Sequence, residues 1–105
     1  MIVRMWRGPT PKWRAPRYED RFRARHLGEY AGTAGNRGVY LLRRDIGDHY
    51  EYLSMTFWDS LDAVKAFKGE DYMRPKYGPE DHEQFSVLNP LVDHFEVMLS
   101  NGVKR

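Results

Sequence analysis

The chain has 105 residues, 41% hydrophobic and 30% charged, with a net charge of +2 at pH 7. That suits one domain, read as residues 1–105, with one two-layer core, and it excludes a disordered chain. Cysteine is absent, which excludes disulfides, thiolate catalysis and Cys-ligated metals, and no apolar run approaches the length of a membrane span.

The opening residues, MIVRMWRG, are too polar for a signal peptide, so a cytoplasmic location is expected. Residues 2–6 read as a short strand with Ile2, Arg4 and Trp6 on one face. Gly8-Pro9-Thr10-Pro11 is expected to break it. A first helix should begin near Ala15-Pro16, because proline is tolerated in a first turn. Tyr18, Phe22, His26 and Tyr30 then recur every four residues, a stripe for packing on a sheet. Residues 32–38 are glycine-rich and end the helix in a loop. Residues 39–45, VYLLRRD, read as a second strand, and Ile46-Gly47-Asp48 as a tight turn into an antiparallel partner.

The following stretch, DHYEYLSMTFWDSLDAVKAF, changes period midway. Tyr50, Tyr52, Ser54, Thr56 and Trp58 alternate with Leu53, Met55 and Phe57, which is a strand. After a cap at Asp59 or Ser60, Leu61, Val64 and Phe67 recur at helical spacing to about Lys68. Pro75, Gly78 and Pro79 exclude one helix over the next segment, although a short helical turn over residues 79–85 fits. Residues 91–99 read as a fourth strand, and the tail from Ser100 is expected to fray.

The order is strand, helix, strand, strand, helix, strand. This is the ferredoxin-like α+β pattern, βαββαβ, with helices on one face of a four-stranded antiparallel sheet and the first and third strands central. The face without helices is expected to carry Arg4, Trp6, Tyr40, Arg44, Tyr50, Tyr52, Trp58, His94 and Glu96. A face so aromatic requires a cover, either a second copy of the chain or a ligand. Charge is unevenly spread: eleven basic against three acidic residues through Arg44, and six against twelve beyond it. A basic patch for an anion is one reading. The simpler one is that the halves interleave and neutralise each other.

Several phrases resemble one family. GNRGVYLLRRD, YLSMTFWDSLDAVKAFKGEDY, GPEDH and VDHFEV are similar to the antibiotic-biosynthesis-monooxygenase-like proteins of the dimeric α+β barrel superfamily. The resemblance implies a homodimer packed through its sheets. It also implies either cofactor-independent oxidation of electron-rich aromatic rings or degradation of haem. The haem-degrading branch shares a Trp at the strand–helix join, here Trp58. It has an axial His where this chain has Lys68, and an Asn in the first strand where this chain has Arg4 and Met5. The quinone-forming branch has an Asn where this chain has Ser54 and Met55. No cofactor is therefore expected, and haem is not the expected ligand.

The candidate bases are His26, on the helical stripe, and His94, on the last strand. Histidine titrates near neutrality and suits proton removal. Each also reads as a structural histidine, buried and hydrogen-bonded or bridging a dimer. Trp58, Tyr72, Tyr77 and Asn36 are the candidate substrate-binding residues; Trp58 reads equally as core, and Asn36 as a turn residue. His82 lies among acids in GPEDHE, where adjacent side chains diverge too much for a metal site. No phosphate loop, paired metal-binding histidines or nucleophile elbow is present.

Two functions follow as expectations. One is a cofactor-independent monooxygenase acting on a small aromatic or polyketide-like substrate. The other is a non-enzymatic homodimeric module that binds a small molecule or assembles. RNA binding ranks last, because the third strand lacks the RNA-recognition pattern, and no nucleic-acid or membrane partner is expected.

Overall fold

The computed structural model describes residues 1–101. The last residues of the tail expected to fray, 102–105, lie outside the described residues. Four strands form one antiparallel sheet: β1 (Ile2–Pro11), β2 (Asn36–Asp45), β3 (His49–Trp58) and β4 (Asp93–Glu96), in the order β2-β3-β1-β4. The first and third strands are central, as the connection rules require. The four helices are α1 (Ala15–Arg21), α2 (Leu27–Ala31), α3 (Leu61–Lys68) and α4 (Pro79–Gln84). No helix among the described residues is long and apolar enough to cross a membrane.

β1 is longer than expected, because Gly8-Pro9-Thr10-Pro11 continues the strand. The register explains why two prolines are tolerated. The Lys12 N–H donates to the Asp48 carbonyl at 3.0 Å. Even-numbered residues of β1 therefore bond to β3, and the nitrogens of Pro9 and Pro11 point the other way. There β4 pairs only with Ile2, Val3, Arg4 and Met5. No ladder bond is lost, which is the edge condition under which proline sits in a strand. β4 itself covers four residues, less than the span expected from its alternation.

α1 and α2 form one rod joined by a π turn over Phe22–His26, in which the Leu27 N–H bonds to the Phe22 carbonyl. A four-residue repeat on an α-helix drifts by about 40° per step, at ~3.6 residues per turn. One wider turn takes up that drift. It keeps Tyr18, Phe22, His26 and Tyr30 in ring contact down one side.

The helices lie on the aromatic face of the sheet, and this corrects the face assignment. Trp6, Tyr52 and Trp58 are buried beneath them, with Trp58 fully inaccessible. The open face carries Leu42, Leu53, Met55, Phe57 and Phe95 in their place, beside Tyr40. Tyr40 and Arg44 do lie on the open face as expected, since the register sets Tyr40 opposite Met55 and Arg44 opposite Glu51. Alternation had sorted each strand into two sets without saying which set meets the helices. The aromatic stripe of α1 decides it: Tyr18 packs edge-on against Tyr52 with ring centres 4.9 Å apart.

The uneven charge is neutralised by interleaving. Lys12 pairs with Asp45 at 2.6 Å, Arg21 with Asp81 at 2.6 Å, Arg25 with Glu80 at 2.6 Å, and Arg44 with Glu51 at 2.8 Å. Arg37 pairs with Asp59. Each of these joins the basic first half to the acidic second.

Candidate functional site

Two aromatic clusters fill the space between helices and sheet. One contains Trp6, Tyr18, Phe22, Tyr52 and Phe85. Its tightest ring pairs are Trp6–Phe85, Tyr18–Phe85 and Tyr18–Tyr52, each 4.9 Å between centres. The other is Trp58 stacked on Phe67 at 5.4 Å, with Tyr30 edge-on to both. Between the clusters lies a cavity of about 120 Å³. That is near the ~150 Å³ of an apolar cavity that takes one benzene.

Tyr18, Phe22, His26 and Tyr30 of the helical rod form one wall of the cavity. Arg4, Trp6 and Ser54 of the sheet form its floor, and Lys68 closes the end of α3. Tyr77, Asp81 and Phe85 close it from the segment around α4. Gly8 makes room for the floor: a Cβ there would stand 2.3 Å from the Trp6 ring. The Trp6 indole N–H donates to the Tyr77 hydroxyl at 2.8 Å, which itself donates to the Asn89 carbonyl at 2.8 Å. Asp81 receives Arg21 at 2.6 Å and the Gly78 N–H at 2.8 Å. Both bonds anchor α4 over the site.

The polar groups on the wall are biased toward positive charge. Burial pulls the His26 imidazole below its usual pKa, with Arg21 and Lys68 assisting and Glu29 opposing. The ring is therefore neutral at pH 7 and able to accept a proton. Burial, together with Arg4 and Lys76, brings the Lys68 ammonium down to about 8. Arg4 is 6% exposed. Its Nη2 donates to the carbonyls of Tyr72 and Arg74 at 3.1 and 3.5 Å, while its buried Nε has no partner.

Of the residues singled out in the sequence, His26 and Tyr77 line the cavity. Tyr77 offers its ring, since its hydroxyl is committed on both sides. Trp58 is not on the wall; it backs Tyr30, and its N–H donates to Thr56 at 2.9 Å. Tyr72 packs edge-on against His94 at 5.3 Å. His94 sits beside Arg4 across β1 and β4, with its Nε2 buried and unpartnered. Asn36 lies opposite Trp58 at the end of β2, and its side-chain oxygen accepts from the Gly38 N–H at 3.1 Å, so it shapes the strand entry. His82 is exposed on α4. Sequence reasoning missed Arg4 and Lys68 as site residues. Both appeared only as departures from a resemblance, although an arginine alternating with Ile2 and Trp6 already placed a charge on a buried face.

The residue at the end of α3 does not match the haem ligand that the resemblance implies. The group at the end of α3 is the Lys68 amine, and imidazole is the usual nitrogen ligand of haem iron.

A family model described as antibiotic biosynthesis monooxygenase matches residues 1–75. No curated protein matches the chain. A solved structure of a putative antibiotic biosynthesis monooxygenase from Bacillus cereus is similar at TM-score 0.70 and 15% identity, over 100% of this chain and 98% of that one. The haem degrader MhuD of Mycobacterium tuberculosis, with two haems bound in its active site, is similar at TM-score 0.64 and 24% identity, over 97% of this chain and 100% of that one. An MhuD mutant with two manganese protoporphyrins bound per active site gives TM-score 0.64 and 25% identity, over 98% and 100%. These likenesses establish the ferredoxin-like fold, and the match over residues 1–75 establishes the family: the chain belongs to the antibiotic biosynthesis monooxygenase family.

Proposed function

We propose that this chain is a cofactor-independent monooxygenase acting on a small aromatic or polyketide-like substrate held in the cavity. The observation that carries the reading is His26, a neutral imidazole on the wall of an aromatic-lined cavity that also presents Arg4 and Lys68. A hydroxylated ring must lose a proton before it can give an electron to O₂. His26 takes that proton, and the two cations stabilise the resulting oxyanion. Oxidation of a ring methylene to a carbonyl then consumes one O₂, placing one oxygen atom in the product and releasing the other as water. The substrate supplies all the electrons, so no cofactor enters the balance. The cavity walls supply orientation.

The open sheet face supports self-association as well. Tyr40, Leu42 and Phe95 are each more than two-fifths exposed there, an apolar patch that a second copy would cover.

Oxygen uptake with a panel of anthrone-like and hydroquinone-like compounds, without added cofactor, tests the enzymatic reading. Uptake above the protein-free rate is expected. No uptake with any compound would leave the homodimeric small-molecule-binding module in its place.

A further inference from the structure

Three cations without an acid partner among the described residues, Arg4, Lys68 and Lys76, line one cavity, and Arg4 and Lys68 are the two held in place there. The carboxylate on that wall, Asp81, is already engaged by Arg21 and the Gly78 N–H. A buried charge without a counter-charge is costly, and Arg4 is 6% exposed with its Nε unpartnered. Two backbone carbonyls hold its Nη2, so the fork is fixed in place with donors to spare. The Lys68 ammonium is held over the rings of Phe67 and Tyr30, 4.9 and 5.7 Å from their centres.

We infer that the cavity is an anion site that binds the oxyanion of a small aromatic acid between Arg4 and Lys68. The inference rests on the cavity being the small-molecule site, and it adds the ligand class: one aromatic ring carrying a negative oxygen group. A guanidinium is a permanent cation with N–H donors in one plane, which suits a carboxylate or phenolate oxygen. The ring packs among Trp6, Tyr18 and Phe85, where an aromatic body gains most from leaving water. The oxyanion is either a carboxylate or an ionised ring hydroxyl. The charged groups acting on Lys68 are Arg4 from β1, Glu29 from α2 and Lys76 from the segment before α4. Glu29 alone favours the charged form. An arriving anion adds the missing favourable charge and raises the Lys68 pKa.

Calorimetric titration of the full chain with benzoate, benzamide and phenol, in air-free buffer, tests this without turnover. Benzoate is expected to bind about tenfold or more tighter than its neutral isostere benzamide. Phenol binding as tightly as benzoate, with the absorbance of phenolate, would identify the ring hydroxyl as the source of the oxyanion. Lys68→Met should cut benzoate affinity by about tenfold and leave benzamide unchanged. Arg4→Gln should do the same, with circular dichroism checking its fold; Lys68, half-buried at a helix end, carries the test if Arg4→Gln does not fold. Benzoate affinity should fall as pH rises through about 8, where Lys68 loses its proton, and this dependence should vanish in Lys68→Met. Equal affinity for benzoate and benzamide, or benzoate affinity indifferent to both pH and Lys68→Met, overturns the inference. Selective benzoate binding without oxygen uptake with any substrate removes the oxygenase and leaves the anion site. Uptake without that selectivity does the reverse.

Discussion

His26 and His94 present the same side chain in two settings, and the structure separates them by what they can reach. His26 opens on the cavity; His94 faces Tyr72 and Arg4 with a buried, unpartnered nitrogen. If His26 is the base, His26→Ala lowers the oxygenation rate by roughly 10²–10⁴-fold while the fold persists, and His94→Ala leaves the rate near that of the wild type. The opposite ranking in an oxygen electrode would move the base to His94. Both imidazoles are held below their ordinary pKa chiefly by burial. An unfolded chain binds their protons first, so the folded state loses stability as pH falls below ~6.5. Thermal melts should show Tm dropping through that range, with a shallower drop in His26→Gln and His94→Gln. Trp58 is a matter of stability more than recognition. It is fully inaccessible and stacked on Phe67, so Trp58→Ala should cost about 3–5 kcal/mol in denaturant unfolding.

The same logic extends to the elements that carry these residues. The π turn is what keeps a four-residue aromatic repeat facing the sheet, and Phe22 and His26 belong to it. Inserting one alanine after Leu27, in the α-helical part of the rod, would rotate everything beyond it by roughly 100°. Tyr30 would leave the cavity wall, and ligand binding should be lost while far-UV circular dichroism stays helical; retained binding would deny the alignment of the stripe its role. α3 depends on its start. The Ser60 side chain accepts from the Ala63 N–H at 3.2 Å, so Ser60→Ala should cost about 1 kcal/mol. The approach to β2 is tighter: Gly35 has φ of 83°, and a Cβ on it would stand 2.6 Å from that of Ala63. Gly35→Ala should therefore destabilise by about 1–3 kcal/mol in the same unfolding measurement.

For the molecule as a whole, the decisive surface is the sheet face that no helix covers. Tyr40 and Phe57 meet edge-on there at 5.8 Å, and Leu42 stands opposite Leu53. If this face joins two copies, sedimentation at micromolar concentration gives about 25 kDa, twice the 12.5 kDa of one chain. Phe57→Glu on that face should then yield the monomer with its own fold intact, since a buried unpaired carboxylate disfavours the interface. A wild-type monomer under those conditions would leave the face for another partner.

Element types and order were legible from local rules: alternation of period two, the switch to helical spacing after Trp58, proline and glycine at the breaks. So were the strand order and the aromatic stripe of the first helix. What those rules could not carry was anything set by pairing between distant residues. Pro9 and Pro11 looked like breakers because the direction in which their nitrogens point depends on the β1–β3 register. The side of the sheet taken by the helices depended on which set of side chains complements the stripe of Tyr18 and Phe22, and both sets were apolar enough. The cavity is a product of both choices. Arg4 from β1, His26 from the π turn, Lys68 from the end of α3 and Tyr77 from a loop are up to 73 residues apart in sequence. The chain alone determined the family fold and supplied each of these groups. Tertiary packing alone decided which of them stand around one space, because burial, pKa and the lack of a counter-charge are properties of the assembled environment and not of any one residue.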